Sequence, residues 1–233
     1  MKRNSTPTRR DVQFGALSTA FNVALSTLAW SPAATAAARQ VRLVAFGDSL
    51  MAGFQIALTD AFPAQLERAL RAKGYDVEVA NAGVSGDTTA AGLVRLDWAI
   101  PDATDAVILE FGANDMLRGI DPATVRRNLD QLVTRITKKG SRVLLTGMRS
   151  VGNWGDDYRQ SFDAIFPELA RAHRLPLYPF FLAGVVGDKT LNLDDGLHPN
   201  PRGVQQIVSG ILPTVEELLA QLHASTGKKL SPG

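Results

Sequence analysis

The chain has 233 residues, 45% hydrophobic and 21% charged, the balance of an ordinary soluble domain; at that length roughly 70% of the unfolded surface can enter one core. It contains no cysteine, which excludes disulfides, thiolate zinc sites and cysteine nucleophiles together. The net charge of +2 comes from 25 basic and 23 acidic side chains; four of the basic ones and one acid lie in residues 1–38, so the remainder stands at −1 and offers no basic, aromatic-laced patch for nucleic acid.

Residues 1–38 differ in character from the rest of the chain. Lys2, Arg3, Arg9 and Arg10 precede an apolar run from Phe14 to Trp30, and Ser31 to Ala38 then offers Ala34-Thr35-Ala36 or Ala36-Ala37-Ala38 as an A-x-A cut. This is the layout of a cleaved signal peptide. The Arg9-Arg10 pair and an apolar region diluted by Ser18, Thr19, Asn22, Ser26 and Thr27 resemble the twin-arginine type, with the Sec route also open. The alternative is an uncleaved membrane anchor, but the run is short and interrupted for a spanning helix, so the mature chain is expected to carry no membrane span and to be periplasmic or secreted.

From Val41 onward, short apolar runs alternate with amphipathic stretches, the pattern of β-α-β units on a parallel sheet. Strands are predicted near 41–46, 76–80, 105–111, 142–147 and 175–178. The first predicted helix, Ala61 to Lys73, puts Phe62, Leu66, Ala69 and Leu70 on one face and stops at Gly74. The next runs from Thr88 to Ala99 behind Asp87 as N-cap, and another from Pro122 to Lys139 behind Asp121. Asp157 to His173 comes next, with a kink or break expected at Pro167, and Pro201 to His223 closes the set. The domain is expected to span 39–224, with a frayed tail over 225–233.

Five Gly-, Asn- and Asp-rich loops each come after a strand, so all should project from one edge of the sheet: 47–53, 81–88, 112–119, 149–156 and 184–200. The first presents Ser49 directly after Gly47-Asp48. A serine needs an adjacent imidazole base held in the right tautomer by a carboxylate. Of three histidines, His173 lies at a helix end and His223 near the tail, whereas His198 sits in a turn three residues after Asp195. The alternative for that turn is a solvated loop with a capping Asp and an idle His. Oxyanion donors are available in the Ser49 N–H, the Gly86 N–H and the Asn114 side-chain amide; alternatively Gly86 serves only a positive φ and Asn114 an Asx-turn.

Taken in order, Gly47-Asp48-Ser49-Leu50, Gly83-Val84-Ser85-Gly86-Asp87-Thr88, Gly112-Ala113-Asn114-Asp115 and Asp195-Gly196-Leu197-His198-Pro199-Asn200 resemble the four blocks of the SGNH or GDSL hydrolases. The similarity covers about residues 41–222 and is nearest the bacterial acyl-CoA thioesterase I, lysophospholipase and arylesterase branch. The resemblance implies Ser49 as nucleophile, His198 as base, Asp195 as its orienting acid, and Ser49, Gly86 and Asn114 as the oxyanion hole. It also implies a three-layer α/β/α sandwich, flavodoxin-like, with a five-stranded parallel sheet. Two departures stand out: Gly112-Ala113-Asn114 where that branch commonly has Gly-Gly-Asn, and Ser150-Val151 where it tends to carry an apolar-Pro pair. The acyl preference of the branch is therefore not carried over.

The expected activity is a two-step serine esterase acting on carboxylic esters or thioesters: aryl esters, short to medium acyl esters and lysophospholipids. No metal or organic cofactor is required, and contact with lipid substrates fits the class. G-x-S-x-G is absent, so no α/β-hydrolase elbow is expected, and the site should be shallow and open. Asp48, Asp115, Met116, Leu117, Ser150, Val151 and Trp154 are expected around the substrate pocket; Met116 and Phe180 read equally as core. The competing readings are a periplasmic flavodoxin-like binding protein without catalysis, its 81–88 loop cradling an anion, and a polysaccharide acetylesterase.

Overall fold

The computed structural model describes residues 39–225. The leader expected over 1–38 and the tail beyond Ser225 lie outside the described residues. The last helix ends at Ser225.

The strands are β1 (Val41–Gly47), β2 (Val77–Gly83), β3 (Ala106–Leu109), β4 (Arg142–Thr146) and β5 (Leu177–Tyr178). They form one fully parallel sheet in the order β2-β1-β3-β4-β5. The helices are α1 (Ser49–Ala52), α2 (Phe62–Ala72), α3 (Thr89–Ala99), α4 (Ala113–Leu117), α5 (Pro122–Lys138), α6 (Asp156–His173) and α7 (Pro201–Ser225). Right-handed crossovers assign the layers. The chain moves one way from β1 to β2 and the other way ever after, so α2 falls on one face and α3, α5 and α6 on the other. Contacts agree, since α7 packs on α2, α3 on α5 and α5 on α6.

The reversal makes β1 and β3 neighbours whose outgoing chains diverge, the place where an open α/β sheet leaves a crevice. Register sharpens it: Gly47 is level with Gly83, and Phe46 with Leu109, so the loops after β1, β2 and β3 start side by side. Beneath them the core is aromatic. Phe46 and Phe111 meet edge to face at 5.1 Å, and Phe62 and Phe181 at 5.0 Å on the α2 side.

Several local expectations need correction. The N-cap of α3 is Thr88, whose Oγ1 accepts from Ala91 N, because the Asp87 carboxylate is drawn to Arg95 Nε at 2.6 Å. β2 runs on to Gly83 and β3 stops at Leu109, while α1 and α4 are single turns in stretches read as loops. Pro167 does not break α6: Phe162, Ile165, Phe166 and Leu169 anchor both sides of it in the core, which outweighs the roughly 3 kcal/mol cost of an interior proline.

Candidate active site

Gly47 ends β1 against a wall. A Cβ there would lie 2.5 Å from the Glu110 carbonyl oxygen, 2.6 Å from Glu110 Oε2 and 2.7 Å from Met51 Cγ, so only glycine fits. Asp48 then caps α1, its Oδ1 accepting from Leu50 N at 3.0 Å, and Ser49 becomes the first helical residue. Arg95 ties the rim together. Its guanidinium donates to Gly47 O (2.7 Å), Ala82 O (2.8 Å) and Asp87 Oδ2, and lies 4.5 Å from the Phe46 ring centroid.

The far end of the chain returns to this rim through a stapled turn. Leu193 N donates to His198 O at 2.8 Å, Asn192 Nδ2 to Val185 O and Asp188 O, and Asn200 Nδ2 to Thr190 O and Asn192 O. Within it Asp195 Oδ1 accepts from the backbone N–H of Leu197 and His198, while Oδ2 lies 2.6 Å from His198 Nδ1. The other ring nitrogen, Nε2, is 2.9 Å from Ser49 Oγ. Phe54 lies against the imidazole with centroids 4.3 Å apart.

Partial burial works to raise the Asp195 pKa, but the two amides and the imidazole outweigh it and hold the carboxyl at about 2. Asp195 is therefore an anion throughout the neutral range.

Of the expected oxyanion donors, the amide hydrogens of Ser49 and Gly86 have no acceptor among the described residues. Gly86 has φ +86°, and its carbonyl accepts from the Arg118 guanidinium at 2.8 Å. Asn114 makes no Asx-turn. Its Nδ2 donates to Asp48 Oδ2 and to Asp87 O, each at 3.0 Å, so it bridges the loops after β1 and β2.

The expected pocket residues divide. Leu117, Val151 and Trp154 are exposed and Ser150 half-buried, whereas Asp48, Asp115 and Met116 are buried and stand behind the surface. The Asp115 carboxylate is turned away to α3, accepting from Thr89 N (2.9 Å) and Thr89 Oγ1 (2.6 Å). Met116 offers its carbonyl to Trp154 Nε1 at 2.7 Å, and Phe180 is half-buried beneath the Arg149 guanidinium.

Three contributors escaped the sequence reading. Arg95 reads as the polar face of an amphipathic helix, Phe54 as a loop apolar, and Glu110 as a polar residue closing an apolar run. Burial pushes the carboxyl of Asp48 up to about 6, and burial together with the Asp48 charge pushes that of Glu110 well above its ordinary value. Among the described residues no three His, Asp or Glu side chains are placed to hold a metal ion, and no helix is long and apolar enough to cross a membrane. A cavity of about 840 Å³ opens at the opposite edge of the sheet, between Val41, Val143, His173 and Leu218, and none of these site residues borders it.

The model of the GDSL-like lipase/acylhydrolase family matches residues 45–206. An arylesterase of Vibrio mimicus is 38% identical over 181 residues, 77% of this chain and 86% of its own. Esterase TesA of Pseudomonas aeruginosa is 36% identical over 78% of this chain and 91% of its own. Thioesterase 1/protease 1/lysophospholipase L1 of Escherichia coli K12 is 36% identical over 68% of this chain and 75% of its own. Among solved structures, TesA superposes with a TM-score of 0.72 at 34% identity, covering 76% of this chain and 99% of that one. The psychrotrophic esterase EstA from Pseudoalteromonas sp., inhibited by monoethylphosphonate, gives 0.73 at 26% identity, covering 77% and 98%.

Proposed function

This chain belongs to the GDSL-like lipase/acylhydrolase family and is a carboxylic ester hydrolase acting on small-molecule esters, and from that premise we propose that Ser49, His198 and Asp195 are its catalytic triad. The observation that carries the assignment is the unbroken line Ser49 Oγ, His198 Nε2, His198 Nδ1, Asp195 Oδ2, with links of 2.9 and 2.6 Å.

In the first step the Ser49 oxygen bonds to the ester carbonyl carbon as its proton moves to His198 Nε2. The developing oxyanion accepts from the N–H groups of Ser49 and Gly86 and from Asn114 Nδ2, which must release or share one of its present acceptors. Collapse breaks the bond to the leaving group, which takes the proton from Nε2, leaving Ser49 acylated. Water then attacks the acyl carbon, giving its proton to Nε2, and the second collapse frees the carboxylic acid and returns the proton to Ser49 Oγ. Asp195, its carboxyl held at about 2 and so an anion at neutral pH, fixes the ring and balances the imidazolium charge.

Aryl esters, short to medium acyl esters, thioesters and lysophospholipids are the proposed substrates. Relatives named arylesterase and thioesterase/lysophospholipase support that range. Leu117, Val151, Trp154 and Leu197 are exposed apolar side chains on the segments that follow the strands, which suits single-chain lipids. We further infer that residues 1–38 are an export signal, making the mature enzyme periplasmic or secreted; the basic, apolar and small-residue regions support this. Neither non-catalytic anion binding nor polysaccharide deacetylation finds support among the relatives.

Incubation with an organophosphonate is the test. Peptide mass spectrometry should find the adduct on Ser49, absent in Ser49→Ala, with ester turnover lost in step. A Ser49→Ala protein that still hydrolyses p-nitrophenyl acetate at the wild-type rate ends the triad assignment.

A further inference from the structure

Two carboxyl groups, Asp48 and Glu110, lie fully buried behind Ser49, and the triad uses neither. They do not share their donors equally. Asp48 accepts from Leu50 N and Asn114 Nδ2, both at 3.0 Å. Apart from the Asp48 carboxyl beside it, Glu110 has one long bond, from Asp48 N to Oε2 at 3.3 Å, and its Oε1 is the single buried side-chain oxygen or nitrogen without a hydrogen-bond partner among the described residues. A buried carboxylate with so few donors is the wrong place for a charge, and two adjacent ones cannot both ionise freely. Gly47 is tailored to the same group, since any Cβ would collide with Glu110 Oε2.

We propose that Glu110 is a positioning residue: carried as a neutral acid beneath the nucleophile's turn, it acts through Asp48, leaving that carboxylate as the single buried charge that orients Asn114 Nδ2 and caps the helix bearing Ser49. Burial and the neighbouring Asp48 both push the Glu110 pKa up, consistent with a held proton. Other charged groups around the pair are few. His198 faces Asp48, Arg95 is committed to Gly47 O, Ala82 O and Asp87, and Asp115 to Thr89. None of these bonds Glu110. When alkali removes the proton to solvent, a second negative charge appears beside Asp48, the turn loosens, and Asn114 loses its aim.

The inference rests on Asn114 as oxyanion donor and Ser49 as nucleophile, and its test separates the two. Wild type, Glu110→Gln and Glu110→Ala are assayed with p-nitrophenyl acetate from pH 5 to 10, with phosphonate labelling of Ser49 and thermal melts as controls. Glu110→Ala should lower kcat by about tenfold or more with KM within about twofold of wild type. Wild type should lose kcat toward pH 10, and a wild type that shows no such loss overturns the proposal; Glu110→Gln, the neutral isostere, should recover kcat to within about threefold at pH 7 and lack that alkaline loss. An alkaline limb that persists unchanged in Glu110→Gln overturns the proposal, as does a Gln variant as impaired as the Ala variant. Should Glu110→Ala fail to fold, the Gln profile decides alone. Absence of label on wild-type Ser49 would instead defeat the underlying triad.

Discussion

Asn114 Nδ2 lies 3.0 Å from Asp48 Oδ2, so the side chain proposed for the oxyanion hole is fixed by a carboxylate next to Ser49, the proposed nucleophile, and 66 positions away in the chain. Removing the donor and loosening its anchor should have different sizes of effect. Asn114→Ala should reduce kcat by about two orders of magnitude with little change in KM. Asp48→Asn, which replaces the charge by an amide, should cost about tenfold. A normal kcat in Asn114→Ala removes it from the hole.

Asp195 holds both the imidazole and the turn that carries it. Asp195→Asn should lower kcat by roughly two to four orders of magnitude, as expected when a triad base loses the acceptor that fixes its tautomer. The pH sign comes from its carboxyl lying at about 2 rather than 3.8. The folded state binds this proton less tightly than the unfolded, so the contribution is complete above about pH 4 and is lost as pH falls through about 2. Asp48 runs the other way: its carboxyl, raised to about 6, costs stability as pH rises from 3.8 toward that value. Melting curves of Asp195→Asn and Asp48→Asn against wild type from pH 3 to 7 should therefore diverge in opposite directions.

Arg95, nearly buried, holds the ends of β1 and β2 and the Asp87 carboxylate at once. Arg95→Leu leaves a carboxylate and two carbonyls without their donor and should destabilise by about 3–5 kcal/mol, read from the urea midpoint. A loss below about 1 kcal/mol would mean that the rim is held by the sheet alone.

Trp154 donates to Met116 O on α4 and covers Gly119, where a Cβ would lie 2.8 Å from its ring. Nearly half its surface is exposed beside the helix that carries Asn114, and it is proposed as a wall of the acyl pocket. Trp154→Ala should lower kcat/KM about tenfold more for p-nitrophenyl octanoate than for the acetate, since each buried methylene is worth about 0.8 kcal/mol. Equal losses on both esters would take Trp154 out of the acyl pocket.

How far the site could be read in advance depended on whether a residue's role was local. Asp121 before Pro122 caps α5 as its position in the chain suggests, because the cap and the amide it serves are two residues apart. Asp87 looked like the same device, yet Arg95, eight residues on, claims its carboxylate and leaves the cap to Thr88. Asp115 and Asp48, polar residues in ligand-facing motifs, turn inward because a helix start and an amide from other loops reach them first.

Sequence alone determined the alternation of strands and helices, the glycine and cap punctuation, and the order of the four blocks, because periodicity and turn chemistry are properties of neighbouring residues. Only the tertiary structure decided that Ser49 and His198, 149 positions apart, come within 2.9 Å, and that Glu110 is buried with an oxygen left unpartnered. Those facts arise from strand order and register, which set β1 between β2 and β3 and bring distant loops to one rim. No window of local sequence contains the partner against which such a residue is packed.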